Sequence, residues 1–203
     1  LNENRTFPNH GERKQLSIQE HFMASALSDN YRFLARYNGW MNQRLQAACD
    51  ALSDEERKRE RGAFFGSLHR TLNHIVVGDQ VWLRRFAQCG SDHGVTFPSL
   101  TAAVLDLPPG SQLGTVLFDD WPALCAKREQ LDAAIVSWVA DMPEGYPQFT
   151  MTYANTKGVQ RAHPAWQAMT HFFNHQTHHR GQATTLLMQA GVDVGVTDLI
   201  ALV

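Results

Sequence analysis

The sequence predicts an all-α fold: a four-helix bundle with a long crossover between its second and third helices and a small β-hairpin ahead of the fourth. Three observations carry this. Four long segments repeat apolar residues at spacings of three and four, strand-like alternation is confined to one short stretch, and a Gly-, Pro-, Ser- and Asp-rich connection separates the second and third helical segments. A chain of 203 residues suits one domain with its own core.

The opening segment, LNENRTFPNHGERKQLSIQE, is too polar to bury much, so residues 1–21 read as a loosely held extension carrying surface His10 and His21, and the bundle domain as residues 22–203. From Phe22 to Leu52, the residues Phe22, Met23, Leu27, Tyr31, Leu34, Tyr37, Met41 and Leu45 recur at helical spacing with no proline to interrupt them. Ser53 stands three residues ahead of Glu56, the spacing of a capping box, and opens a short charged turn of helix that Gly62 and Gly66 close. A second long helix is expected over Ser67–Gln88, with Leu68, Leu72, Ile75, Val76, Trp82, Leu83 and Phe86 on one side and Arg70, Asn73, Gln80 and Arg84 on the other.

Residues 90–114, including Pro108-Pro109-Gly110, read as an irregular connection with one or two short helical turns, on which His93 is solvated. The third helix has Pro122 in its first turn, repeats Leu117, Leu124, Leu131 and Trp138 every seven residues, and ends near Met142-Pro143. Phe149, Met151 and Tyr153 alternate with Thr150 and Thr152 before the turn-forming Asn155-Thr156-Lys157-Gly158, which gives the hairpin. The fourth helix is bracketed by Pro164 and Gly191.

Composition excludes several classes of function. A formal net charge of −2 offers no field that would gather nucleic acid or anionic lipid. No apolar run approaches the ~20 residues of a membrane span. Cys49, Cys89 and Cys125 are too dispersed for a disulfide framework or a thiolate zinc site. With no basic-then-apolar pattern at its start, the chain is expected in the cytoplasm.

The chemistry lies in HFFNHQTHHRGQ, residues 171–182, where His171, His175, His178 and His179 crowd together. On a helix, residues four apart stack on one face with roughly 5 to 6 Å between Cβ atoms, so His175 and His179 can share an ion. Their side also holds Ala168, Phe172, Gln182 and Leu186, which turns the pair into the bundle, where imidazoles without partners are costly. His171 with His175 matches equally by spacing, and chance alone also produces such pairs. A third ligand must come from another helix. His74 leads, on the flank of the second helix's apolar stripe with Gly78 one turn along to leave space, although a lone histidine there also suits a structural role. His178 points away from the pair, and His69 and His163 read as structural or solvated.

The segments HFFNHQTHHRGQATTLLMQAG and VTDLIALV, with YNGWMNQRL, SLHRTLNHIVVGDQVWL and YANTKG upstream, resemble the DinB-like family of the DinB/YfiT superfamily of metal-dependent enzymes, over Tyr31 to the end. The resemblance implies a four-helix bundle, commonly a homodimer, with a divalent metal held by three histidines. Position by position these are His74, His175 and His179, which gives the reason to prefer His179 over His171.

Three neutral imidazoles leave a divalent ion its full charge and an open position, which can bring a bound water or thiol toward ionisation at neutral pH. Imidazole suits several metals, and zinc is expected, with nickel an easy substitute. The chemistry expected is that of a hydrolase or of a transferase or isomerase using a low-molecular-weight thiol, which similar proteins use. The alternative is a non-catalytic, stress-related metal-binding bundle. Asp79, Asn174 and Gln182 are candidates to hold the ligands' free ring N–H groups. Arg180 faces away from the ligands, toward an ion pair or an interface.

Overall fold

The computed structural model describes the backbone from His10 and the side chains from Ser25 to Val203. It is mostly helical, with one small antiparallel sheet. The helices are α1 (His10–Asp50), α2 (Asp54–Lys58), α3 (Leu68–Asp92), α4 (Ala102–Leu105), α5 (Trp121–Asp141) and α6 (Ala165–Gln189), and the strands are β1 (Thr150–Ala154) and β2 (Gln160–Pro164). None of the described helices is long and apolar enough to cross a membrane.

The four long helices are those the periodicity predicts, with shifted ends. α1 begins at His10, ahead of the expected Phe22, since GERKQLSIQE consists largely of good helix formers after Pro8. The first nine residues of the expected extension, and the side chains of His10 and His21, lie outside the described residues. Ser53 caps α2 by accepting from the Glu56 amide at 3.2 Å, while the Glu56 carboxylate pairs with Arg59 and Arg61. Ser67 caps α3 in the same way through Arg70, and Asp120 caps α5 through Ala123. α5 starts only at Trp121, so Leu117, expected to begin the third helix's repeat, lies in the connection before it. Gly191, at φ +80°, ends α6 in the left-handed conformation that glycine adopts without strain.

Side-chain pairings orient the helices. Asn38 and Asn42 of α1 both donate to Asp132 of α5, and Trp121 at the start of α5 reaches Asp50 at the end of α1, so these two helices are antiparallel. α3 and α6 are antiparallel too, since Phe86 packs on Phe172 while His74 meets His179. α1 runs parallel to α6, with Tyr31 beside Thr170 and Asn38 bonded to Arg180. α3 runs parallel to α5, with Asp79 on Arg128 and Phe86 stacked on Trp138. Two helices that follow one another in parallel need the long connection between them, residues 93–120.

That connection lies against α3, which corrects one expectation. Asn73 and Gln80, assigned from the helical wheel to the polar side, are fully buried. The Asn73 amide donates to the Phe118 carbonyl and accepts from the Leu117 and Phe118 amides, each near 3.0 Å. Gln80 donates to the carbonyls of Val104 and Asp106. A backbone segment pressed on a helix needs partners for its polar groups, and these two side chains supply them. His93 is exposed, as expected, with its ring stacked on Phe149.

The hairpin forms over the residues that alternate. Its turn is organised by Asn155, whose Oδ1 accepts from the Lys157 and Val159 amides, with Gly158 at φ +76°. It packs beside the second half of α3, where Tyr153 meets Trp82 edge-on and Arg85 donates to the Ala154 carbonyl.

Candidate metal centre

Facing helices bring three of the ten histidines to one point. The His74 Nε2 lies 3.1 Å from the Nε2 atoms of both His175 and His179. Among the described residues this trio forms a cluster with one ligating atom from each ring, all within 4.8 Å of one another. Imidazole nitrogens about 2.0–2.1 Å from a tetrahedral ion stand roughly 3.3 Å apart, so the separations of His74 from the other two are already close to those of a shared ligand set.

The opposite ring nitrogens determine how these atoms are protonated. The His74 Nδ1 lies 2.7 Å from the Leu113 carbonyl, which can only accept, so the proton is on Nδ1 and a lone pair on Nε2. The His179 Nδ1 lies 2.8 Å from the Gln182 amide oxygen, with the same result. Two lone pairs therefore face each other at 3.1 Å, and His175 can donate a proton to only one of them. A cation between the rings satisfies all three, so the donor set fits a divalent metal.

Burial keeps the rings neutral, as ligation requires. It lowers the His74 and His179 pKa values, and it drives His175, next to both, down to about 3. His74 and His179 are buried and His175 is partly exposed. Space for the His175 ring comes from Gly78, where an added Cβ would stand 2.8 Å from the His175 Cε1. The room that glycine leaves thus holds one of the ligands.

Two contributors carry no signal at helical spacing. Leu113, on the long connection, orients His74 through its backbone alone. Phe65 lies between Gly62 and Gly66, both at positive φ, and stacks on His74 at 4.0 Å while meeting His179 edge-on. The aromatic pair Phe64-Phe65 between two glycines is the sequence feature that could have marked this loop.

Other candidates fall elsewhere. His171 is exposed, one turn from His175, with its ring against Trp82. His178 is exposed beside Gln182. His69 is buried on the Phe118 carbonyl, and His163 bonds the Tyr153 hydroxyl, so both are structural. Of the three groups expected to hold ligand N–H atoms, only Gln182 does so. Asn174 is exposed, and Asp79 bonds Arg128 and Gln176. Arg180 is buried, bonded to Asn38 and Thr177 with its guanidinium over the Tyr37 ring, so its role is structural without the expected direct ion pair.

A family model described as the DinB family matches residues 25–202, a span that includes all three histidines and the helices that carry them. The chain belongs to the DinB family. One curated relative of this DinB-family chain is Protein DinB of Bacillus subtilis (strain 168), 23% identical over 181 residues that cover 85% of this chain and 92% of the relative. No solved structure matches at a comparable level.

Proposed function

We propose that this DinB-family protein is a divalent-metal-dependent enzyme whose three-histidine centre activates a water or a low-molecular-weight thiol, as a hydrolase or a thiol-dependent transferase or isomerase. The observation that carries the reading is the convergence of three neutral imidazoles, two with their lone pairs aimed at a common point, with no fourth protein ligand in the cluster among the described residues. An ion with three protein ligands retains an open position, and when bound it supplies the positive charge that lowers the pKa of a water or thiol. The chain's own work is to keep the rings neutral and aimed: Leu113 and Gln182 hold the tautomers, Gly78 admits the His175 ring, and Phe65 shields His74 from water.

Zinc is the metal we assign, with nickel able to replace it, since imidazole discriminates weakly between them. The arrangement of α1, α3, α5 and α6 is read as a four-helix bundle with one long crossover, in a cytoplasmic homodimer. A non-catalytic bundle staple would favour a site closed by a fourth ligand, which the described cluster lacks. The test is elemental analysis of the purified chain followed by thermal unfolding with low-molecular-weight thiols. Stoichiometric metal and thiol-dependent stabilisation that disappears on chelation are expected. Metal-free protein that takes up no added zinc or nickel would refute the reading.

A further inference from the structure

Beside the metal centre, next to the hairpin, the α3–α6 face carries a second group of side chains. Arg85 follows His74 by eleven residues, which at 3.6 per turn returns to within about 20° of the same bearing, so both point to one side of α3. Gly78 and Trp82 lie between them. On α6 the succession His179, His175, His171 runs beside this line, and the His171 ring lies 5.0 Å from Trp82. From Gly78, level with the ligands, to Arg85 the helix rises about 10 Å.

Arg85 at the far end is held but unpaired. Its guanidinium sits 4.7 Å from the Trp82 ring and 4.4 Å from the Tyr153 ring, and donates to the Ala154 carbonyl at 3.1 Å. Among the described residues no carboxylate pairs with it, whereas Arg128 is paired with both Asp79 and Asp132. A half-buried guanidinium with rings on its faces and one N–H engaged leaves its remaining N–H groups for a partner. A planar group accepting two parallel hydrogen bonds matches them best.

We propose that Arg85, with Trp82 and His171 beside it, anchors a carboxylate of the substrate whose reacting end lies at the three-histidine centre. The inference rests on the metal-dependent reading above and adds the substrate class: a molecule with an anionic carboxylate about 10 Å from the group that meets the metal. Arg85 is a positioning residue, since it stands away from the reacting atoms.

The experiment uses the full chain loaded with cobalt(II), whose absorption reports a thiolate joining the ion. ω-Mercaptoalkanoates of increasing length are titrated against ω-mercaptoalkanols of matched length, with 2-mercaptoethanol as the unanchored probe. At the length that spans the distance, the carboxylate compound binds about tenfold more tightly or better than the alcohol, the effect of a hydrogen bond to a charged group. Arg85→Gln removes that preference and leaves 2-mercaptoethanol binding unchanged, and Arg85→Lys retains part of it. Should Arg85→Gln not fold, Arg85→Lys and the length dependence in the unaltered chain decide. Thiol binding with no carboxylate preference, or a preference that survives Arg85→Gln, overturns the anchor and leaves the centre standing. Failure of every thiol to change the cobalt spectrum overturns the thiol reading of the centre and the anchor with it.

Discussion

Replacing Gly78 by alanine separates the stability of the helix from the affinity of the metal centre. Gly78 is in the interior of α3, buried, and its φ is not positive, so the backbone accepts alanine without strain. On propensity alone the change stabilises α3 by about 1 kcal/mol. The new Cβ, however, would stand 2.8 Å from the His175 Cε1, 3.5 Å from its Nδ1 and 3.7 Å from its Nε2. Carbon atoms pack comfortably at about 3.5 Å, so the ring must give by about 0.7 Å. Metal–ligand distances tolerate only about 0.2 Å. The ring can swing away, which makes the clash cheap for folding and costly for binding.

The expected result is an apo-protein at least as stable as the unaltered chain, with metal affinity reduced about 10- to 100-fold, as when a ligand loses its support. Gly181→Ala is the control, because nothing lies within 4 Å of a Cβ there. It gains the same helix propensity on α6 and leaves affinity unchanged. Thermal unfolding of chelator-treated protein gives the first quantity, and competition with a chromophoric chelator gives the second. Wild-type metal affinity in Gly78→Ala would show that the His175 ring does not depend on the space left by Gly78, and the argument from ring placement would fail.

Three further outcomes follow from the same geometry. His175→Ala and His179→Ala abolish stoichiometric metal by elemental analysis and His74→Ala weakens binding severely, whereas His171→Ala keeps its metal; loss in His171→Ala with retention in His74→Ala would reassign the third ligand. Gln182→Ala frees the His179 Nδ1 and lowers affinity about 10- to 100-fold in the same chelator competition, with little effect on folding since Gln182 is only partly buried. Asp79→Ala strips the largely buried Arg128 of one of its two carboxylates and leaves Gln176 without its acceptor, costing about 3–5 kcal/mol in chemical denaturation; a loss below about 1 kcal/mol would mean that Asp132 alone satisfies Arg128.

Apolar periodicity carries as far as the helices and their ends, because each long helix buries one stripe and is closed by local chemistry: Ser67 and Asp120 at starts, Gly191 at a stop. The limits begin where a face is covered by chain distant in sequence. A wheel assigns Asn73 and Gln80 to solvent, and only the path of residues 93–120 across that face shows why both are buried. At the site, spacing marks the α6 histidines only as candidate ligands and leaves His171 and His179 as equal partners of His175, so that the choice rests on resemblance. Their difference is physical: His179 points at His74, while His171, one turn toward the hairpin, meets Trp82. Leu113 acts through a carbonyl, which every residue has, so no side-chain pattern could reveal it.

The centre is assembled on two helices whose relative register is fixed by buried polar groups. His175 and His179 stand on α6 and His74 on α3, and the two helices are held in register directly behind the ligands by Gln176, next to His175, bonded to Asp79, next to Gly78. Asp79 in turn holds Arg128 of α5, Arg128 reaches Asp132, and Asp132 accepts from Asn38 and Asn42 of α1. One layer of buried polar groups thus links all four long helices at the level of the site. Buried charges of this kind contribute little net stability compared with a well-packed apolar core. What they impose is direction, since a one-residue slip of α6 against α3 would strand Asp79, Arg128 and Gln176 in the core at once. An apolar layer would tolerate that slip, and the three Nε2 atoms would no longer meet.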